Sequence, residues 1–436
     1  MNWRRISLTV MRGDPGVAHA NAPKNQKVAL YRPASLLPRA GYAVEFRDGH
    51  RKLPLQRRAD MPPRIGHNRS VPRDDHDAPL HLINPLRNPC GGSERRTIDM
   101  ARLLRARHVD VTVWAARDAS SRLVEEARAS VVHPVLGRFP RHGTLVFVGT
   151  YFSVGRWIAL ASPQRVLVIF NTDQPHWLRN NLARIAASGC SAEVVYTSVG
   201  LRARHRGVGP VLESTIDLSL FTFRDPRDTP NRVFTVGRLS RDDVTKHHAE
   251  DPALYRRLAA AGIHVRLMGA TCIARELADV PGIEILPEGA MPAPAFLRSL
   301  DAFVYRTSNT WYEAFGRVVF ESMAAGVPVV CNAEGGFAHY LASGANALLA
   351  RSTDELAGAV IALRDDRALA ARLARRARDD AEAIQRNAEQ RLFALMVEES
   401  PRAGHAPAHA GAHAPLASRG VSTVESGSKH ALPPGD

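Results

Sequence analysis

One stretch, residues 312–330, limits the folds open to this chain more than any other. Apolar and small residues recur there with the period of a helix and would form one buried stripe: Phe315, Val318, Val319, Ser322 and Met323. Gly326 stands where a helix commonly ends on a left-handed residue, and Pro328 prevents the helix from continuing. The valines that follow indicate a short buried strand. The stretch therefore predicts a loop, a helix and a strand in succession.

Two carboxylates belong to that predicted helix. Glu313 stands just before its N-terminus, and Glu321 lies two turns further along. Eight residues of helix leave two side chains about 80° apart around the axis, so both can border one cleft. Glu313 together with the free amides of Phe315 and Gly316 would offer an acceptor and donors to a polyhydroxylated ligand. The alternative is a Glu313 that only complements the helix dipole and a solvated Glu321.

The spacing of these residues resembles a known nucleotide-sugar site. The motif is Glu-x₇-Glu, with Phe-Gly shortly after the first Glu and Ala-Gly-x-Pro-Val-Val after the second. It is similar to the motif of retaining GT-B glycosyltransferases of the family 4 type, which are also called group 1 glycosyl transferases. The resemblance implies that Glu313 faces the donor sugar and that Glu321 holds the ribose hydroxyls. Phe315 and Gly316 would then also contact the donor.

A second cluster carries positive charge. Arg238 follows Gly237 at the end of a predicted strand, and Lys246 lies eight residues further on. When a sugar nucleotide reacts, charge develops on the departing diphosphate, and an arginine and a lysine can stabilise it without a metal. By the same resemblance Arg238 and Lys246 hold the diphosphate, next to Gly237. Gly335 and Gly336 would allow another close approach of backbone to the donor.

The ordered part of the chain is predicted to open with a β-loop-α-β unit. A strand at residues 80–84 precedes a loop with Gly91 and Gly92, then a helix, then a strand at residues 109–114. This order is typical of a parallel, doubly wound sheet. Paired glycines before a helix let backbone amides approach a diphosphate, although most such pairs are simple turns. The loop resembles the glycine loop of the N-terminal GT-B domain.

A polar segment follows the predicted strand at residues 166–170. Polar residues at the carboxyl end of a buried strand point into the ligand crevice of such sheets. The resembling family often carries a histidine there, on the acceptor side. Here Asp173 and His176 are the candidates, with a surface loop as the alternative.

The predicted fold is α/β, a GT-B arrangement of two doubly wound Rossmann-like domains facing a cleft. The predicted boundaries give a disordered or non-native extension at 1–78, an acceptor-side domain at 79–217, a nucleotide-sugar-binding domain at 218–398 and a disordered tail at 399–436. The extensions are rich in Pro, Arg, Ala, Gly and His and cannot bury a core.

The net charge of +15 sits in the first half of the chain. Residues 1–78 and 79–217 each carry a net charge of +8, whereas residues 218–399 carry −2. A basic face can meet an anionic membrane leaflet, an acidic glycan or nucleic acid, or simply reflect a composition rich in arginine. Aromatic residues make up 6% of the chain and no nucleic-acid module is recognisable, so no nucleic acid is expected.

Cysteine usage and hydropathy indicate the compartment. The four cysteines are scattered without a Cys-x-x-Cys pair, which argues against a zinc site and fits a reducing cytoplasm. No apolar run approaches the roughly 20 residues needed to span a bilayer. We expect a cytoplasmic protein, peripheral at the inner face of the membrane, with no metal and no cofactor.

The function implied by the resemblance is retaining transfer of a sugar from a nucleotide diphosphate sugar to a glycan or lipid-linked acceptor. The basic first half suggests cell-envelope polysaccharide or lipopolysaccharide synthesis. Two alternatives remain open from the sequence. One is a sugar-nucleotide epimerase on the same fold, and the other is a non-catalytic protein that binds a sugar nucleotide or nucleic acid.

Overall fold

Two six-stranded parallel sheets organise this computed structural model, which describes residues 78–228 and 233–398. The predicted α/β fold is therefore confirmed. The extensions predicted at 1–78 and 399–436 lie outside the described residues, apart from Ala78.

The first sheet and its helices form what we call the first lobe. Its strands are β1 (Leu80–Ile83), β2 (Val111–Ala115), β3 (Ala129–Val131), β4 (Thr144–Val148), β5 (Arg165–Phe170) and β6 (Glu193–Tyr196). Its helices are α1 (Gly92–Ala106), α2 (Ser121–Ala127), α3 (Trp157–Ala161), α4 (Pro175–Ala186) and α5 (Val199–Arg204). The spatial order is β3-β2-β1-β4-β5-β6. The strand order reverses between β1 and β4, and ligands of such sheets bind outside the carboxyl ends at that point.

The second lobe repeats this plan. Its strands are β7 (Thr235–Leu239), β8 (His264–Met268), β9 (Ile283–Leu286), β10 (Ala302–Tyr305), β11 (Val329–Asn332) and β12 (Leu348–Ala350). Its helices are α6 (Asp251–Ala260), α7 (Ala293–Arg298), α8 (Arg317–Ala324), α9 (Thr353–Asp365) and α10 (Arg367–Phe393). The spatial order is β12-β11-β10-β7-β8-β9, so the reversal falls between β7 and β10. Arg238 lies in β7, Lys246 lies in the segment that follows β7, and Glu313 lies in the loop after β10.

Helix α8 is shorter than the sequence pattern suggests. It begins at Arg317, because Gly316 adopts a left-handed backbone with φ of 78°. Phe315 therefore lies in the preceding loop, where it is buried against Phe320, and its assignment to the helical stripe was wrong. The predicted end is confirmed, since Gly326 has a φ of 75°.

Helix α10 links the two lobes. Its first half packs on the second lobe, where Ala377 and Ala381 join the core around α8. Its last turn and the π-helical segment Ala394–Glu398 enter the core of the first lobe. The buried apolar side chains that do so are Leu392, Phe393, Leu395 and Met396. The last part of the described chain thus completes the core that the first part begins.

Candidate functional site

Arg238 occupies the centre of the second lobe. It lies in β7 and only 1% of it is exposed. Its Nη1 donates to the carbonyl of Arg306 at 2.7 Å, and its Nη2 donates to the carbonyl of Lys246. The guanidinium also lies 4.8 Å from the Tyr305 ring centroid. Arg238 therefore ties the loop after β7 to the loop after β10.

Lys246 and Glu313 form a buried ion pair where these two loops meet. Lys246 Nζ lies 2.6 Å from Glu313 Oε2, and the Tyr305 hydroxyl donates to the same oxygen at 2.8 Å. Burial raises the pKa of Glu313, but Lys246, Tyr305 and Arg241 outweigh it, so the pKa is held below its ordinary value. Burial lowers the pKa of Lys246, and Glu313 opposes that shift. Glu313 is thus an oriented carboxylate with an adjacent ammonium.

The indole of Trp311 lies next to the ammonium of the Lys246–Glu313 pair. The Trp311 ring centroid lies 4.7 Å from Lys246 Nζ and 5.7 Å from Arg241 Cζ. Cations over an aromatic face are attracted by its quadrupole. Two cations of the loop after β7 therefore share one aromatic ring of the loop after β10.

Backbone contacts fix the loop that carries Glu313. The Gly336 amide donates to the Glu313 carbonyl at 2.6 Å, and Ser198 Oγ donates to the Ala314 carbonyl at 2.6 Å. A Cβ on Gly336 would lie 1.9 Å from the Ala314 carbonyl oxygen, so only glycine fits there. Gly335, with φ of 122°, lies against Phe337. The predicted glycine pair thus supports the Glu313 loop directly.

Glu321 lies on α8, facing the first lobe. Arg317 Nη2 lies 3.4 Å from Glu321 and 2.8 Å from Asp99 of α1. Burial raises the pKa of Glu321, with Asp99 acting in the same direction and Arg317 against it. A Cβ on Gly92 would lie 3.7 Å from Arg317 Cδ. The structure therefore brings together the predicted glycine loop and the second predicted glutamate.

Polar side chains gather below the glycine loop of the first lobe. Asn84 donates to Ser93 Oγ at 2.8 Å and to the Val148 carbonyl at 2.7 Å, and Asn171 donates to Ser93 Oγ at 3.1 Å. Across the cleft, Asn88 Nδ2 lies 3.2 Å from Glu288 Oε1 of the second lobe. The loop that holds Gly91 and Gly92 thus contacts both lobes.

Comparisons with known proteins indicate which family part of this chain resembles. Residues 287–380 match the family described as "Glycosyl transferases group 1". The matched segment is similar to a group 1 glycosyltransferase domain. It includes Glu313, Glu321, Gly335 and Gly336, and the chain is therefore a glycosyltransferase. No curated protein sequence matches the chain.

Solved structures identify the fold of this glycosyltransferase as GT-B. HepE of Anabaena, solved with UDP and glucose, is 18% identical, with a TM-score of 0.56 over 72% of this chain and 99% of its own. Sucrose-phosphate synthase of Thermosynechococcus elongatus is 16% identical, with a TM-score of 0.56 over 73% and 98%. WaaG, a glycosyltransferase involved in lipopolysaccharide biosynthesis, is 13% identical, with a TM-score of 0.52 over 73% and 100%. At these identities the likeness is one of fold.

We call the group of Glu313, Lys246, Tyr305, Arg238, Arg241 and Trp311 the Glu313 cluster. Three other predicted residues make their contacts with side chains outside this group. Gly237 is buried in β7, where a Cβ would meet Leu300 at 2.5 Å, so its contacts are with the core. Asp173 accepts hydrogen bonds from Arg204 at 2.9 Å and from His205 at 2.6 Å. His176 is exposed at the start of α4, against Trp177.

The sequence motifs did not point to Tyr305, Trp311 and Arg241 as site residues of the glycosyltransferase. Tyr305 ends a strand and Trp311 lies two residues before Glu313, so their positions at a strand end and in a loop were the available signals. In residues 78–228 and 233–398, no three His, Cys, Asp or Glu side chains are grouped so as to hold a metal. No helix of the same ranges has the length and apolar character to span a bilayer.

Proposed function

We propose that the protein transfers a sugar, with retention of its anomeric configuration, from a nucleotide diphosphate sugar to a hydroxyl of a glycan or lipid-linked acceptor. The observation that carries this proposal is the buried Lys246–Glu313 pair, with Tyr305 on the same carboxylate, beside the left-handed Gly316 at the start of α8. The solved complexes of HepE with UDP and with UDP-glucose support a nucleotide-sugar donor.

The donor is proposed to lie across the carboxyl ends of β7 and β10. Glu313 would accept hydrogen bonds from the sugar hydroxyls, and Lys246 would face the diphosphate from the same point. Glu321 would exchange its contact with Arg317 for the ribose hydroxyls. Backbone at Gly92, where a Cβ would meet only Arg317 Cδ at 3.7 Å, leaves room for the diphosphate. In this arrangement residues 218–398 form the donor domain and residues 79–217 the acceptor domain.

The proposed reaction breaks the bond between the anomeric carbon and the diphosphate oxygen, and the electron pair leaves on that oxygen. The acceptor oxygen forms the new bond to the anomeric carbon on the face that the diphosphate leaves. The acceptor proton passes to the departing diphosphate. Lys246 would stabilise the developing charge, and buried Arg238 would add its positive charge from below while holding the loop of Lys246 in place.

The charges of Lys246 and Arg238 lead us to propose a reaction that needs no metal ion. Fixed cations inside a cleft stabilise a departing diphosphate as a bound divalent ion would. Transfer should therefore continue in excess EDTA. Loss of activity in EDTA, with recovery on addition of Mg²⁺ or Mn²⁺, would contradict this part of the proposal.

We propose that the acceptor is a cell-envelope polysaccharide or lipopolysaccharide precursor at the cytoplasmic face of the membrane. The support is the net charge of +8 on residues 79–217, which favours an anionic acceptor or leaflet, and the fold shared with WaaG. Asp173 and His176 are proposed to line the acceptor side.

The test uses the purified full chain with UDP-, GDP-, CDP- and dTDP-sugars. Release of the nucleoside diphosphate with an acceptor present, and the anomeric configuration of the product by NMR, are measured for the wild type. An α-linked donor should give an α-linked product. A β-linked product would contradict retention. Conversion of the sugar nucleotide to its epimer, or binding without turnover, would favour the two alternatives over transfer.

A further inference from the structure

Strand β7 and the loop that follows it carry three cations, and the surroundings of these cations differ. Arg238 is buried and uses both terminal nitrogens on backbone carbonyls. Lys246 is neutralised by Glu313 at 2.6 Å. Arg241 is partly exposed, and within residues 78–228 and 233–398 its guanidinium makes no hydrogen bond or ion pair. Of the three, Arg241 therefore keeps its five N–H donors available.

The aspartates next to Arg241 are committed elsewhere. Asp242 accepts hydrogen bonds from the side chain and amide of Thr271 and, at 2.9 Å, from the amide of Cys272. Asp243 accepts from the amide and hydroxyl of Thr245 at 2.9 and 2.8 Å and so begins the 3₁₀ turn that carries Lys246. Arg241 helps to lower the pKa of Asp243 without forming an ion pair with either aspartate, so its guanidinium is available for another anion.

The backbone beneath Arg241 is fixed. The Ser240 amide donates to the Met268 carbonyl at 3.1 Å, and the Asp242 amide donates to Glu288 at 3.0 Å. The guanidinium itself lies 5.7 Å from the Trp311 ring centroid. A side chain with an anchored backbone and an aromatic platform loses less freedom when it binds a ligand.

Arg241 lies close to the first lobe as well as the second, since the amide of the next residue, Asp242, donates to Glu288 at 3.0 Å and Glu288 meets Asn88 of the first lobe at 3.2 Å. The charge of Arg241 acts on Glu313, Tyr305 and Lys246 of the second lobe and also on Tyr151, which follows β4 in the first lobe. Lys246 and Arg241 lie over the same indole, so the unpaired cation is next to the predicted diphosphate position.

We infer that Arg241, supported by Trp311, is the residue whose guanidinium binds the diphosphate of the nucleotide sugar. This inference rests on the proposed function, because it assigns a contact within the same donor site. Arg238 then positions the loop, and Arg241 makes the direct contact to the diphosphate. An arginine can bind two phosphate oxygens at once through its planar fork.

The test compares UDP with UMP and uridine as probes in isothermal titration calorimetry of the full chain. Arg241→Ala should weaken UDP binding by roughly 10- to 100-fold, the loss of a charge-assisted contact, and change uridine binding little. The same substitution should weaken the binding of UMP less than the binding of UDP. Arg241→Lys should recover part of the UDP affinity, and kcat/KM for the donor should fall in the same order. Arg372→Ala, an exposed arginine of α10 with no partner in the described residues, is the matched control.

Two results overturn the inference and are distinguishable. If the wild type binds UDP and Arg241→Ala binds it within about twofold, with an unchanged melting temperature, the diphosphate contact lies elsewhere while the proposed function stands. If the wild type binds none of UDP, GDP, CDP and dTDP, the proposed function fails and the inference fails with it. An equal loss of uridine, UMP and UDP affinity in Arg241→Ala also contradicts a contact to the diphosphate.

Discussion

Each charged group of the Glu313 cluster has its role set by what it contacts. Glu313 binds an ammonium and a phenol, Arg238 binds two carbonyls, and Arg241 lies against an aromatic face alone. The three cations of β7 and its following loop thus have different contacts although each carries a single positive charge. Single substitutions should separate them.

Glu313→Gln should abolish transfer while the fold is retained. The amide keeps the size of the carboxylate but removes the negative charge that holds Lys246. The oxygen that accepts from the Tyr305 hydroxyl loses its charge as well. We therefore expect a fall in kcat of roughly 10²–10³-fold. Release of the nucleoside diphosphate measures the rate, and circular dichroism checks the fold. Glu125→Gln, on the exposed face of α2, is the matched control. Full activity of Glu313→Gln would contradict the site.

Arg238→Ala should destabilise the protein as well as reduce activity. The substitution leaves the buried carbonyls of Arg306 and Lys246 without their donor, at a cost of about 2–5 kcal/mol. Arg238→Lys keeps the charge but not the two-pronged geometry, so it should recover only part of the stability. The free energy of unfolding in urea is the measurement. A change below about 0.5 kcal/mol for Arg238→Ala would show that the guanidinium does not support the loop.

The sequence identified the residues of this cluster better than their contacts. Glu313 was named from one motif and Arg238 with Lys246 from a second, and all three lie in one cluster. Their pairing was not predictable, because residues 67 positions apart meet only after both loops fold. The burial of Arg238 was also unpredicted, since an arginine at a strand end gives no sign in the sequence that two carbonyls will surround it.

At the scale of the element, glycine conformation sets where α8 begins. Gly316→Ala should cost about 1–3 kcal/mol, because φ is 78° and a Cβ would lie 2.8 Å from Phe337. The strain should also move Glu313 and weaken donor binding. Gly358→Ala, in the interior of α9 with no neighbour within 4 Å of its Cβ, should instead add about 0.5–1 kcal/mol. The free energy of unfolding in urea and the affinity for UDP are measured for both variants. Equal effects of the two substitutions would contradict the role of the left-handed Gly316 in setting the start of α8.

The 3₁₀ turn that presents Lys246 is followed by a buried, neutral His247. Its Nε2 donates to the Gly269 carbonyl at 3.0 Å, and burial, with Arg238 nearby, lowers its pKa to about 4. Asp251 and Asp242 face it as well and oppose that shift. Because the folded pKa lies below the unfolded value of about 6.5, its contribution is complete above pH 6.5 and is lost as the pH falls toward 4.

His247→Gln should therefore flatten the pH dependence of stability. From pH 7 to pH 5 the wild type should lose about 2 kcal/mol more than the variant, which keeps the donor but does not titrate. The free energy of unfolding at several pH values gives the comparison. Identical slopes for the two proteins between pH 6.5 and 4 would show that His247 does not titrate as described.

Periodicity predicted most elements and misplaced some ends. Most strands of the two sheets were predicted, because their residues are continuously apolar, but the short and largely exposed β3 was not. The end of α8 was predicted from Gly326 and Pro328. The start of α8 was not, since Phe315 has the spacing of the helix but precedes Gly316, whose left-handed backbone separates it from the helix. Its burial comes instead from stacking on Phe320, 4.5 Å between ring centroids.

At the scale of the whole molecule, the end of α10 is a structural part of the first lobe. Leu392→Ala should lower the free energy of unfolding by about 2–5 kcal/mol, because Leu392 is fully buried in the core of the first lobe. Val397→Ala, at a side chain that is 39% exposed, should change it by less than about 1 kcal/mol. Urea unfolding followed by tryptophan fluorescence measures both. Equal effects would show that this segment is not part of the core.

The arrangement of two doubly wound sheets was predictable from the alternation of strands and helices. The contacts that join the lobes were not, because they depend on side chains far apart in sequence. Arg317 bonds Asp99 at 2.8 Å across 218 positions, and Asn88 meets Glu288 across 200. Such pairs arise only once both sheets have formed.

Because the end of α10 packs in the core of the first lobe, this lobe is incomplete until the end of α10 has been synthesised on the ribosome. Translation completes the sheet of the first lobe at about residue 196, but Leu392 and Met396 of its core follow some 200 residues later. While the second lobe is made, the nascent first lobe exposes the apolar groove that these residues will fill. A trigger-factor-type chaperone would find its binding surface there. Ribosome-bound chains ending near residue 230 should be protease-sensitive in this lobe, and chains extending beyond residue 430 should be resistant.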